Sequence, residues 1–177
     1  MEIKANIETY RLLALLDVVS VDLSGLKILK PRFTIRRGFK RLRFKSDILY
    51  FKWGEFIKLN EYVNDYRLII HYLNELSGYN NIHLLPAWFT YTLWLHYAEN
   101  HNKVLKALDN INSEIKVKNK KNAKDMGVFG LLNITDFIAK ATNMKHKEVE
   151  DQPIHWILAM YKMEVYKYIN MQKQYEI

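Results

Sequence analysis

Nine basic side chains and no acidic one lie between Leu23 and Ser46: Lys27, Lys30, Arg32, Arg36, Arg37, Lys40, Arg41, Arg43 and Lys45. Groups of this kind bind anions. Arg grips carboxylate or phosphate through two parallel N–H bonds, and Lys adds a point charge. Residues 24–58 carry a net +9 and residues 103–124 a net +5, on a chain whose total is +8. Two positive fields on a mildly acidic body suit a polyanion or an acidic protein surface. Three readings follow. The cluster docks onto acidic protein; or it contacts nucleic-acid phosphate, with Phe33, Phe39 and Phe44 interleaved to stack bases; or it is a solvated edge strand whose charges discourage sheet-to-sheet pairing. Protein docking is preferred, because no helix-turn-helix, RNP pattern or zinc-finger spacing supports the second.

Other reactive residue types do not assemble into a motif. His96 and Glu99 share a helix face, but His101 does not align with His96, and no His-Glu-x-x-His is present. His155 beside Trp156 reads as a packed histidine, and His83 and His146 fall in expected loops. Glu55 and Asp65 are two carboxylates without the surrounding pattern of a glycosidase pair. There is no phosphate-binding Gly loop, no Gly-x-Ser-x-Gly and no Cys. The expectation is a protein without enzymatic activity, metal or cofactor.

The elements that must carry these residues are legible from their periods. Residues 3–19 repeat apolar side chains at helical spacing. Residues 26–53 switch to a period of two. A tight turn at Arg37–Gly38 would set Phe33 opposite Leu42 and Arg32 opposite Arg43, placing Arg32, Arg41 and Arg43 on one face. Ile48, Tyr50 and Lys52 prolong the extended pattern. Beyond Trp53 the chain reads as helical. Gly54–Leu59 forms a short amphipathic turn, and Asp65 caps a helix that Ser77–Gly78 stops. Pro86 opens a further helix through Ile115, continuous or broken near Asn100–Asn102, followed by a Lys- and Asn-rich loop over 116–125. Val128–Ala141 is the next helix. Asp151 caps the last one, from about Ile154 to Gln172. That helix is apolar nearly all round in its first half, so Trp156, Met160 and Met163 are expected to meet a partner subunit.

The expected fold is mainly α: one domain over 1–177, about five helices, and a small basic antiparallel β-hairpin projecting from residues 24–53. Its core is expected to include Leu13, Leu16, Phe56, Leu68, Leu93, Leu132, Phe137, Ile157 and Tyr161. The first residues lack a secretion signal's basic and apolar regions, and the apolar part of the uncharged stretch Leu76–Ala98 falls short of the roughly 20 residues a membrane span needs.

Three stretches resemble small tailed-bacteriophage proteins of the connector, tail-ring and tail-assembly kind, including those of crAss-like phages. They are Ile48–Val63 (ILYFKWGEFIKLNEYV), Met126–Ala141 and Asp151–Glu176 (DQPIHWILAMYKMEVYKYINMQKQYE). The resemblance implies a virion structural protein, a subunit of a ring in the portal, neck or tail. Its partners would be copies of itself and other virion proteins, with possible DNA contact and no membrane. It would reside in the virion, and in the host cytoplasm during assembly. A tail-assembly chaperone and a nucleic-acid-binding protein are the alternatives.

Overall fold

The computed structural model describes residues 31–37, 40–65, 68–78, 85–118 and 130–175. Their order is β1 (Thr34–Arg37), β2 (Lys40–Arg43), a 3-10 turn (Ile48–Tyr50), α1 (Trp53–Tyr62), α2 (Ile69–Ser77), α3 (Ala87–Lys118), α4 (Leu131–Thr142), α5 (His146–Glu150) and α6 (Ile154–Tyr175). The fold is mainly α with one two-stranded antiparallel hairpin near the N-terminus, as the periodicities indicate. The residues form two units, one with 31–46 and 58–101, the other with 47–57 and 102–175; α1 and α3 contribute to both.

In the first unit, α2 turns Ile69, Tyr72 and Leu73 inward at the i, i+3, i+4 spacing of one helix face. Gly78 closes it with φ of 60°, a left-handed conformation that costs glycine little for want of a Cβ. The first half of α3 buries Phe89, Leu93 and Tyr97 on one face and Thr90, Tyr91 and Thr92 beside them. The Tyr72 and Tyr97 rings meet edge to face at 6.4 Å, the arrangement the ring quadrupoles favour. Trp94 Nε1 donates to the Val63 carbonyl at 2.7 Å, giving the half-buried indole its polar partner.

In the second unit, Asp47 caps the 3-10 turn by accepting from the Leu49 amide at 2.9 Å. Glu55 reaches back to the Lys52 amide at 2.9 Å, as an acid in a first helical turn does. Trp53 is fully buried, stacks on Phe56 at 5.4 Å, and donates from Nε1 to Thr135 Oγ1 at 2.8 Å. The Trp53 amide donates to the Gln152 carbonyl at 2.8 Å and the Ile154 amide to the Phe51 carbonyl at 3.0 Å, tying the start of α1 to the start of α6. Pro153, which has no N–H to give, sits between those bonds. Ile134, Ile138 and Ala139 of α4 are buried, as are Ile154, Ile157, Tyr161, Val165 and Ile169 of α6.

Several expectations are corrected. The extended pattern ends before the 3-10 turn, because Asp47 offers Leu49 a local hydrogen bond that competes with a strand. The helix expected at Gly54–Leu59 runs from Trp53 to Tyr62. Asp65 does not cap α2; Leu68 holds that position and is 39% exposed, outside the core. Leu132 is 67% exposed, because α4 turns Ile134, Thr135, Ile138 and Ala139 inward instead. Phe137 is half-buried, its ring 5.6 Å from Tyr161. Asp151 closes α5, a helix not expected around His146, rather than capping α6. α3 is one continuous helix of 32 residues, extending to Lys118 inside the stretch read as a loop. The helix over 3–19, with Leu13 and Leu16, lies outside the described residues, as do Lys27, Lys30 and His83. No described helix is long and apolar enough to cross a membrane.

Candidate docking surface

The hairpin pairs Thr34 with Arg43, Ile35 with Leu42, Arg36 with Arg41 and Arg37 with Lys40. The register is two residues away from the expected one. The strands stop at Arg37 and resume at Lys40. Side chains alternate with a period of two, so a slip of two changes the partners and keeps the faces. Leu42 and Phe44 are buried, and Arg36, Arg41 and Arg43 are exposed on the opposite face.

The alternation of the ladder places the charges. Phe44 donates its amide to the Phe33 carbonyl at 2.8 Å, so those two residues form a hydrogen-bonded pair. Counting along the register, Ile35–Leu42 is another, and Thr34–Arg43 and Arg36–Arg41 are the intervening non-hydrogen-bonded pairs. Cα atoms at such sites are about 4.5 Å apart, the closest approach side chains make across a sheet. Two guanidinium-bearing residues therefore face each other there, and like charges directly opposite destabilise a pair. Among the described residues no carboxylate pairs with Arg36, Arg41 or Arg43; Asp136, Asp151, Glu75, Glu150 and Glu164 all pair with Lys or His.

The other hairpin face is held by α3. Phe44 lies 5.7 Å from the Phe89 ring and Phe33 meets the His96 ring edge to face at 4.8 Å. His96 Nε2 donates to the Ser46 carbonyl at 2.7 Å, and Tyr97 donates its hydroxyl to the Lys45 carbonyl at 3.0 Å. Two consecutive α3 side chains thus fix the exit of β2 and with it the orientation of the basic face. This is the role of His96, a signal the sequence carries only as an isolated histidine. Arg32 departs from its expected place opposite Arg43: it precedes β1, and its guanidinium sits 5.6 Å from the Trp88 ring centre, a cation–π distance. Phe33 and Phe44 are turned inward, away from any base that could stack on them; Phe39 lies outside the described residues. Arg37 and Lys40 form the last pair of the ladder, and Lys45 is exposed just beyond it.

The remaining expected contact residues lie on α6. Trp156 and Met160 are half-buried and Met163 is 42% exposed, at the i, i+4, i+7 spacing of a single face. Tyr166, 40% exposed, continues that side, with the Lys162 ammonium 5.7 Å from its ring centre. Beside it runs a shallow groove of about 340 Å³ lined by Ala107, Asn110, Ile111, Leu158, Ala159 and Lys162, which no sequence motif marked. His155 is exposed rather than packed, its Nδ1 3.1 Å from the Leu49 carbonyl. His101 is buried in α3 and His96 is committed to Ser46, and among the described residues no cluster of three His, Asp or Glu could hold a metal ion.

One exposed ion pair shifts both of its members. The hydrogen bond from Lys52 Nζ to Asp151 Oδ1, 2.9 Å long, holds the Asp151 carboxyl below the usual range and the Lys52 ammonium above its own. Asp136 is likewise lowered, first by the Lys140 hydrogen bond and then by His146. Burial pushes the Tyr161 hydroxyl up.

No protein-family model, no curated protein and no solved structure matches this chain.

Proposed function

We propose that the chain is a non-enzymatic assembly protein that docks through the exposed arginine face of its hairpin onto an acidic protein surface. The observation that carries this reading is the Arg36–Arg41 pair: two positive residues at the closest cross-strand site, without a carboxylate among the described residues to offset them. A fold spends stability on such a pair, and an acidic partner restores it. The inward turn of Phe33 and Phe44 favours protein over single-stranded nucleic acid, which binds through exposed aromatic platforms. The α6 face of Trp156, Met160 and Met163 supplies a second, apolar contact suited to a subunit neighbour.

The setting we propose is a ring at the portal, neck or tail of a phage particle, on the strength of the resemblance carried by Ile48–Val63, Met126–Ala141 and Asp151–Glu176. Quantitative mass spectrometry of purified particles tests it. A fixed multiple of copies per particle is expected. Presence in infected cells with absence from particles would replace the ring subunit by an assembly chaperone.

A further inference from the structure

We propose that the open edge of β2 takes an extended acidic segment of a partner protein as a third strand. This rests on the docking reading above and adds how the partner is held.

The ladder itself supplies the argument. Phe33–Phe44 and Ile35–Leu42 spend their backbone bonds between the two strands, so the N–H and C=O groups of Arg41 and Arg43 point outward from β2. Among the described residues the sheet has two strands, and those outward groups have no hydrogen-bond partner. Unpaired groups in a row are a template for a further strand. The side chains at the same two positions are exposed arginines, two residues apart on one face.

An added strand would set every second side chain beside that face. The segment that fits is acid–apolar–acid: two carboxylates against Arg41 and Arg43, each able to accept two parallel guanidinium bonds, and an apolar residue between them on the side of buried Leu42. The same charges turn away a second copy of β2, whose sequence Lys40–Arg43 (KRLR) would set like charges opposite one another. The basic edge therefore selects its partner by charge, while the main chain holds it.

The test is fluorescence anisotropy on the full chain with three labelled nonapeptides of one composition: Glu alternating with Val, Glu grouped at one end, and the alternating peptide N-methylated on the residues that would pair. Expected is binding of the alternating peptide about tenfold tighter than either control, with a loss of about tenfold in R41Q/R43Q. Backbone amide shifts of Arg41 and Arg43 on titration would accompany it, a readout in the wild-type chain that needs no variant to fold. Equal affinity for all three peptides would overturn strand addition and leave charge-driven docking standing. Binding of a duplex DNA with no binding of any acidic peptide would overturn both.

Discussion

Reversing one charge of the facing arginine pair should stabilise the isolated protein. In Arg36→Glu, a carboxylate replaces a guanidinium opposite Arg41 at a non-hydrogen-bonded site. Charges splayed to about 7 Å in water repel by about 0.6 kcal/mol, and reversing one sign turns that into a similar attraction, a swing of about 1 kcal/mol. Both side chains are exposed, so screening with a length of about 8 Å at physiological salt leaves about half. A gain of about 0.6 kcal/mol is a factor of about three in the local opening equilibrium. Hydrogen exchange of the Ile35 and Leu42 amides reads that equilibrium directly, because these residues bond across the ladder. Expected is an approximately threefold slowing in Arg36→Glu at physiological salt, larger at low salt and shrinking towards none at about 1 M salt. Unchanged or faster exchange at low salt would refute the claim that the arginines repel, and with it the reason for expecting an acidic partner.

Thr135→Val should cost about 1–3 kcal/mol by stranding the buried Trp53 Nε1 donor, and in a cycle with Trp53→Phe the double variant should cost less than the sum of the singles, measured by urea unfolding followed by circular dichroism. On α4, exposed Leu132→Lys should change stability by no more than about 0.5 kcal/mol, whereas buried Ile138→Ala should cost about 2–4 kcal/mol; similar losses for both would contradict the phase of that helix. The Asp151 carboxyl should titrate below the usual range and return towards it in Lys52→Met, as followed by carboxyl NMR. The sign follows from the shifts. A lowered Asp151 contributes above its unfolded pKa and loses that contribution as pH falls through its folded value; a raised Lys52 contributes below its unfolded pKa and loses that as pH rises through its folded value. Both groups are exposed, so the effect on stability is small.

Period and punctuation made much of the fold readable in the sequence. Gly78 ends α2 as its type requires, and the alternation over residues 33–44 assigned the correct face even with the partners displaced by two. What remained hidden was set by contacts without a local signature. The Trp53–Thr135 hydrogen bond spans 82 residues and the Lys52–Asp151 pair 99, and neither leaves a pattern in its own neighbourhood. The alternation of Ile48, Tyr50 and Lys52 imitates a strand, and only the Asp47 cap turns it into a 3-10 turn. α5 has five residues, too few for a helical period to show. Leu68 and Leu132 are apolar by type, but one precedes its helix and the other falls off the buried face of its own. The basic face was visible as composition; its anchoring by His96 and Tyr97 required the ladder and α3 to be seen together.

The most direct test of the docking account is co-sedimentation of the wild-type chain and of Arg36→Gln/Arg41→Gln/Arg43→Gln with assembling particles at two salt concentrations. All three side chains are exposed, so the variant should remain folded, as circular dichroism would record. The account predicts that the wild type incorporates at low salt, less so at high salt, and that the triple variant fails to incorporate at either. Equal incorporation of the two chains at both salt concentrations would show that the arginine face is a solvated edge and not a docking surface.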